Sequence, residues 1–77
     1  MNVKEKVIKI IKDQLSVVPD LSQTLTELGA DSLDGVEIMM ELEDTYGIEI
    51  IDEDSTKWKT VQDIVNYMEN RIDGDKE

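Results

Sequence analysis

Gly29-Ala30-Asp31-Ser32-Leu33-Asp34-Gly35-Val36-Glu37-Ile38-Met39-Met40-Glu41-Leu42-Glu43-Asp44 is a turn that runs into an acidic, amphipathic helix, and the rest of the chain is arranged around it. Gly29 can adopt the positive φ that reverses a loop, Asp31 is a good N-cap side chain, and Asp34 stands where the acid of a capping box belongs. This spacing makes Ser32 the first helical residue. Its hydroxyl then projects beside unpaired backbone N–H groups at the positive end of the helix dipole, a setting that favours an attached phosphodiester.

At about 100° per residue, with Leu33 at zero, Asp34, Glu37, Glu41 and Asp44 fall between roughly 20° and 100°. Val36, Ile38, Met39, Met40, Leu42 and Tyr46 occupy most of the remainder, which predicts a broad buried arc beside a narrow acidic stripe. Glu43 lands among the apolar positions. Gly35 costs up to about 1 kcal/mol relative to Ala in a helix interior. Taken alone, the stripe is what any solvated helix face presents.

Outward from this helix, Asn2 and Glu5 form an N-cap pair, and Val3, Val7, Ile10, Ile11 and Leu15 recur at helical spacing, predicting a first helix over about residues 2 to 15. Its lysines, Lys4, Lys6, Lys9 and Lys12, fill the outer face as solvated charge. Residues 16–31 break the pattern with Val17-Val18-Pro19-Asp20 and the polar Ser22, Thr24 and Thr26, predicting a long loop with one short turn, plugged to the bundle by Leu21, Leu25 and Leu28. Gly47 ends the second helix. Asp52-Glu53-Asp54 favour the start of a short third helix ending near Lys57, and Trp58 covers the end of the core. Thr60 with Asp63 is a further capping pair, and Val61, Ile64, Val65, Met68 and Ile72 mark a fourth helix over about 60 to 72, before a frayed tail at 73–77.

The expectation is an all-α fold in one domain over residues 1–77: a four-helix bundle with three longer helices, a short third one and a long loop between helices one and two. Its expected core is Val7, Ile11, Leu15, Val36, Met40, Leu42, Ile50, Ile64, Val65 and Met68. Seventy-seven residues give a core near the lower limit of sufficiency, and with no cysteine neither a disulfide nor a thiolate metal site can reinforce it.

The net charge of −11 is uneven: no basic residue lies between Lys12 and Lys57, where acids are dense. Such a field repels nucleic acid and anionic membranes and steers basic protein surfaces toward the middle of the chain. No stretch is apolar enough to span a membrane or to serve as a secretory signal, so a cytoplasmic protein is expected.

Without histidine or cysteine, and with no nucleophile beside a base, the chain does not read as an enzyme. Asp34-Gly35 and Glu41 match three places of a calcium-binding EF-hand loop, but its first ligand position would be Ala30, which cannot coordinate. No metal site is assigned.

Gly29-Ala30-Asp31-Ser32-Leu33-Asp34, followed by Val36-Glu37, with Glu49-Ile50 and Asp52-Glu53 beyond, resembles the modification site of acyl carrier proteins of fatty acid and polyketide synthesis. The resemblance covers nearly the whole chain. It implies that Ser32 carries a covalent 4′-phosphopantetheine arm, installed by a phosphopantetheinyl transferase, whose thiol holds acyl intermediates as thioesters. It further implies a monomer that docks acyl-loading and acyl-processing enzymes, through their basic patches, on Asp31, Leu33, Asp34, Glu37, Met40, Glu41 and Asp44. Against the family pattern the loop before Ser32 is several residues short, and Trp58 replaces a smaller aliphatic residue, narrowing the acyl pocket. A specialised, D-alanyl or peptidyl-type carrier is the alternative within the resemblance; an unmodified acidic interaction module is the alternative outside it.

Overall fold

Asn2 starts the first helix, α1 (Val3–Leu15), with a complete capping box: its side chain accepts the Glu5 N–H at 2.8 Å, and the Glu5 carboxylate accepts the Asn2 N–H at 3.2 Å. The structure is a computed structural model that describes the backbone of residues 2–76 and the side chains of residues 2–72. α1 ends at Ser16, which takes the left-handed conformation (φ 61°) and donates its N–H to the Lys12 carbonyl. The central helix, α2 (Ser32–Tyr46), begins after Asp31 and closes on Gly47 (φ 64°), where a left-handed backbone is unstrained. α3 (Asp52–Ser55) is a single turn, and α4 (Val61–Lys76) starts from the expected Thr60–Asp63 pair.

The all-α expectation holds: four helices form in the predicted order, three long and one short, and no strand occurs among the described residues. α4 continues past the expected 72 to Lys76, because Gly74 alone weakens a helix without stopping it. The expected frayed tail at 73–77 concerns side chains and an end that lie outside the described residues.

α1 packs against both α2 and α4, and their facing side chains make the core: Val7, Ile10 and Ile11, then Ile38 and Leu42, then Val61, Ile64, Val65 and Met68, closed by Ile50. Two expected core members are out of place. Val36 is 46% exposed and Met40 53% exposed, whereas Ile38 is 1% exposed. Only one side of α2 meets α1, so the buried arc narrows to Ile38 and Leu42 with Met39 and Tyr46 beside them, and the Val36–Met40 edge turns to solvent. Leu15 is partly buried against the core, and Ile10, Ile38 and Val61 complete it beyond the predicted set.

The loop between α1 and α2 is held by backbone bonds that no local pattern announces. The Gln23 carbonyl accepts the Val61 N–H and the Leu21 carbonyl accepts the Gln62 N–H, each at 2.9 Å, so the loop satisfies first-turn donors of α4. Thr24 and Glu27 make their own reciprocal box, and Leu21, Leu25 and Leu28 pack on the core as expected. Anchored at both places, the loop delivers Gly29 (φ 89°) and then Ser32.

Candidate functional site

Ser32 stands exposed at the first position of α2. Below it the predicted capping box is complete: the Asp31 carboxylate accepts the Asp34 N–H at 2.9 Å, and the Asp34 carboxylate accepts the Asp31 N–H at 3.2 Å. That bond, reinforced by the Gln14 amide at 3.2 Å, holds the Asp34 carboxyl below the usual carboxylate range. The box uses the Asp34 amide, and the Gly35 amide donates to the Asp31 carbonyl. The Ser32 and Leu33 amides donate to no group among the described residues, so two unpaired donors lie beside the Ser32 hydroxyl.

These residues fit a phosphodiester ester-linked to Ser32: the hydroxyl is accessible and the free amides and helix dipole favour an anion. The carboxylates of Asp31 and Asp34 oppose it, so the local field suits a tethered phosphate better than a free one.

Beside Ser32 opens a cavity of about 400 Å³ lined by Leu25, Ser32, Gly35, Val36, Ile38, Met39, Ser55, Thr56 and Trp58. The lining is mostly apolar and reaches from Ser32 toward the core. Trp58 packs against the core, as expected, and also lines this cavity. Its ring meets Tyr67 edge to face at 5.3 Å between centroids. The Tyr67 hydroxyl donates to Asp54 at 2.9 Å and accepts from Arg71 at 2.8 Å, and Arg71 also donates to the Glu49 carbonyl. Burial, then the bond to Asp54, pushes the Tyr67 hydroxyl above the usual phenol range. One network thus fixes α3, the cavity wall and α4 together.

The predicted docking residues share one surface. Asp31, Leu33, Glu37, Met40, Glu41 and Asp44 are exposed, and Asp34 is half-buried. Leu33 is 62% exposed and lies in line with Val36 and Met40, giving the acidic stripe an apolar edge, of which Val36 and Met40 were expected in the core. Gln14, on α1, is the residue the sequence did not reveal: its amide donates to both Asp34 and Glu37 across 20 and 23 positions. No local signal announces a pair set by helix packing. Glu43 is explained by its half-buried carboxylate, which accepts the Ile50 N–H at 2.7 Å. Residues 32–41 are continuous helix, so the partial EF-hand spacing makes no calcium loop, and among the described residues no three His, Cys, Asp or Glu side chains converge as a metal set. Among the described residues no helix is long and apolar enough to cross a membrane.

Comparison with known proteins gives concordant results. A family model described as a phosphopantetheine attachment site matches residues 5–68. The chain is 46% identical over 72 residues to an acyl carrier protein of Thermosynechococcus vestitus, covering 88% of this chain and 89% of that protein. It is also 46% identical over 74 residues to one of Campylobacter hominis, covering 91% and 94%. The crystal structure of an acyl carrier protein from Thermotoga maritima superposes with a TM-score of 0.76 at 28% identity, over 91% of this chain and 86% of that one.

Proposed function

The chain belongs to the acyl carrier protein family, and we propose that its Ser32 is the residue that carries the 4′-phosphopantetheine arm of that family. When bound, the arm supplies a thiol that holds an acyl chain as a thioester; the protein's own residues supply position, shelter and recognition. Members of the family are carriers rather than enzymes. The observation that carries the assignment to Ser32 is its place: an exposed hydroxyl on the first residue of α2, beside two unpaired amides and on the rim of a mostly apolar cavity.

Each element has a part in this reading. Asp31 and Asp34 lock the helix start, so that the hydroxyl meets a phosphopantetheinyl transferase in one orientation. The cavity beneath has mostly apolar walls that suit an acyl chain and exclude water from it. The α2 face of Leu33, Val36, Met40, Glu37, Glu41 and Asp44 offers partner enzymes of fatty acid or related lipid synthesis an apolar contact flanked by negative charge. Such charges act mainly on encounter rate and orientation.

The test is incubation with coenzyme A and a carrier-modifying transferase, read by intact mass. The protein gains one phosphopantetheine, while Ser32→Ala gains none and keeps its helical spectrum, since an exposed substitution of this kind changes stability by no more than about 0.5 kcal/mol. An alanine variant that still gains the group removes Ser32 from the role.

A further inference from the structure

Gln14 is half-buried on α1, and its amide nitrogen donates to two carboxylates on successive turns of α2: Asp34 Oδ1 at 3.2 Å and Glu37 Oε2 at 2.5 Å. Ionised carboxylates only accept, so the amide presents its NH2 to them, one hydrogen to each. Asp34 is thereby held from both sides, since its other oxygen accepts the Asp31 N–H. Among the described residues nothing else bonds the Glu37 carboxylate, and Gln14 alone gives it a fixed place.

The charges make the choice of residue informative. Asp34 and Glu37 stand three residues apart, where like charges on a helix repel and the side chains swing away from each other. α1 carries Lys4, Lys6, Lys9 and Lys12, yet among the described residues none of them pairs with an acid of α2; Lys9 pairs with Asp13 on its own helix. The residue that meets the two carboxylates is neutral. It holds them together and leaves both charges in full, whereas a lysine there would cancel one of them.

Resting on the docking reading above, we propose that Gln14 is a positioning residue for transferase loading: from α1 it sets Asp34 and Glu37 as one ordered pair of carboxylates beside Ser32, so that a basic side chain of the transferase meets them already placed. Groups fixed before contact lose less freedom on binding. Gln14 acts through the two acids and not by its own contact with the partner, so its effect falls on KM, while kcat is set at the Ser32 hydroxyl.

Gln14→Met keeps the length of the side chain and removes both donors. With coenzyme A saturating and salt low, its KM as substrate of a carrier-modifying transferase rises about two- to fivefold and kcat stays within about twofold, with the helical spectrum unchanged. Glu37→Ala also raises KM, and adding Gln14→Met to it raises KM by less than about 1.5-fold further, because Asp34 is still held by Asp31 and residues that act through one another are not additive. In the protein without transferase, the Asp34 carboxyl, held low by the Asp31 N–H first and by Gln14 next, titrates at higher pH in Gln14→Met when its carboxyl carbon is followed by NMR. An unchanged Asp34 titration, a Gln14→Met that loads like the wild type while Glu37→Ala is impaired, or an equal rise in KM with and without Glu37 overturns the proposal and leaves the docking reading standing. Glu37→Ala that loads at the wild-type rate overturns both, and a wild-type chain that takes up no arm removes the carrier reading with them.

Discussion

The carboxylate of Glu43, seven residues before Ile50, accepts the Ile50 backbone N–H at 2.7 Å and so ties the end of α2 to the segment that enters α3. Ile50 is 4% exposed, so its amide has no access to water if that acceptor is lost. Glu43→Ala therefore destabilises the fold by about 1–3 kcal/mol, the cost of a buried unsatisfied donor. Glu43→Gln, which retains an acceptor, costs less. Glu41→Ala, two positions away on the exposed face, changes stability by no more than about 0.5 kcal/mol. Urea denaturation of the three variants checks the order.

Gly35 sits inside α2 with open space where a Cβ would project. Gly35→Ala therefore raises stability by about 0.5–1 kcal/mol through helix propensity and reduced unfolded-state freedom. Because Gly35 lines the cavity, the added methyl also narrows it. Thermal melting checks the first effect, and weaker retention of long acyl chains, read by thioester hydrolysis, checks the second.

Asp34 and Asp63 both hold helix starts with their carboxylates, and both titrate below the usual range: Asp34 chiefly through the Asp31 N–H, Asp63 through the Lys59 and Thr60 N–H groups. A depressed folded-state value gives stability that is complete above the unfolded value, near pH 4, and is lost as pH falls through the folded one. The melting temperature consequently drops below about pH 4, and Asp34→Asn with Asp63→Asn makes that limb shallower while lowering stability at neutral pH. Melting curves from pH 7 to 2 measure both.

How much of this was legible in the sequence depends on how local each feature is. The three expected cap pairs, Asn2–Glu5, Asp31–Asp34 and Thr60–Asp63, each span three residues and are formed as the spacing implied, whereas the equally local Thr24–Glu27 pair was not read from the sequence. Ser32 at the head of α2 followed directly from one of them. The phase of α2 did not follow, because Val36, Met40 and Ile38 are similar in hydropathy and only the position of α1 decides which side is covered. Gln14 on Asp34 and Glu37, and the loop carbonyls on α4, are likewise products of packing between distant segments.

The acidic face of α2 yields a fourth expectation. Glu41→Lys, at a position with no partner to disturb among the described residues, slows transferase loading by about three- to tenfold at low salt, with the difference shrinking as salt is added. Glu37→Lys also severs the Gln14 bond and loses some stability. Lys4→Glu is the control on α1, preferred to Lys9, whose ammonium pairs with Asp13 at 2.8 Å. Loading rates from stopped time points, with circular dichroism on each variant, make the comparison; equal slowing by Glu41→Lys and Lys4→Glu would return the stripe to the role of solvated charge.

Fragment-ion mass spectrometry of the loaded wild-type protein is the most direct test of the central assignment. Proteolysis at lysine leaves residues 13–57 as one peptide when the intervening segment is intact, and it holds Ser16, Ser22, Ser32 and Ser55 together with four threonines at 24, 26, 45 and 56. The arm on Ser32 gives fragments that carry the added mass only when they include that residue. Added mass on Ser22, Ser55 or any other hydroxyl, or a protein that gains no mass from an active transferase, would contradict it.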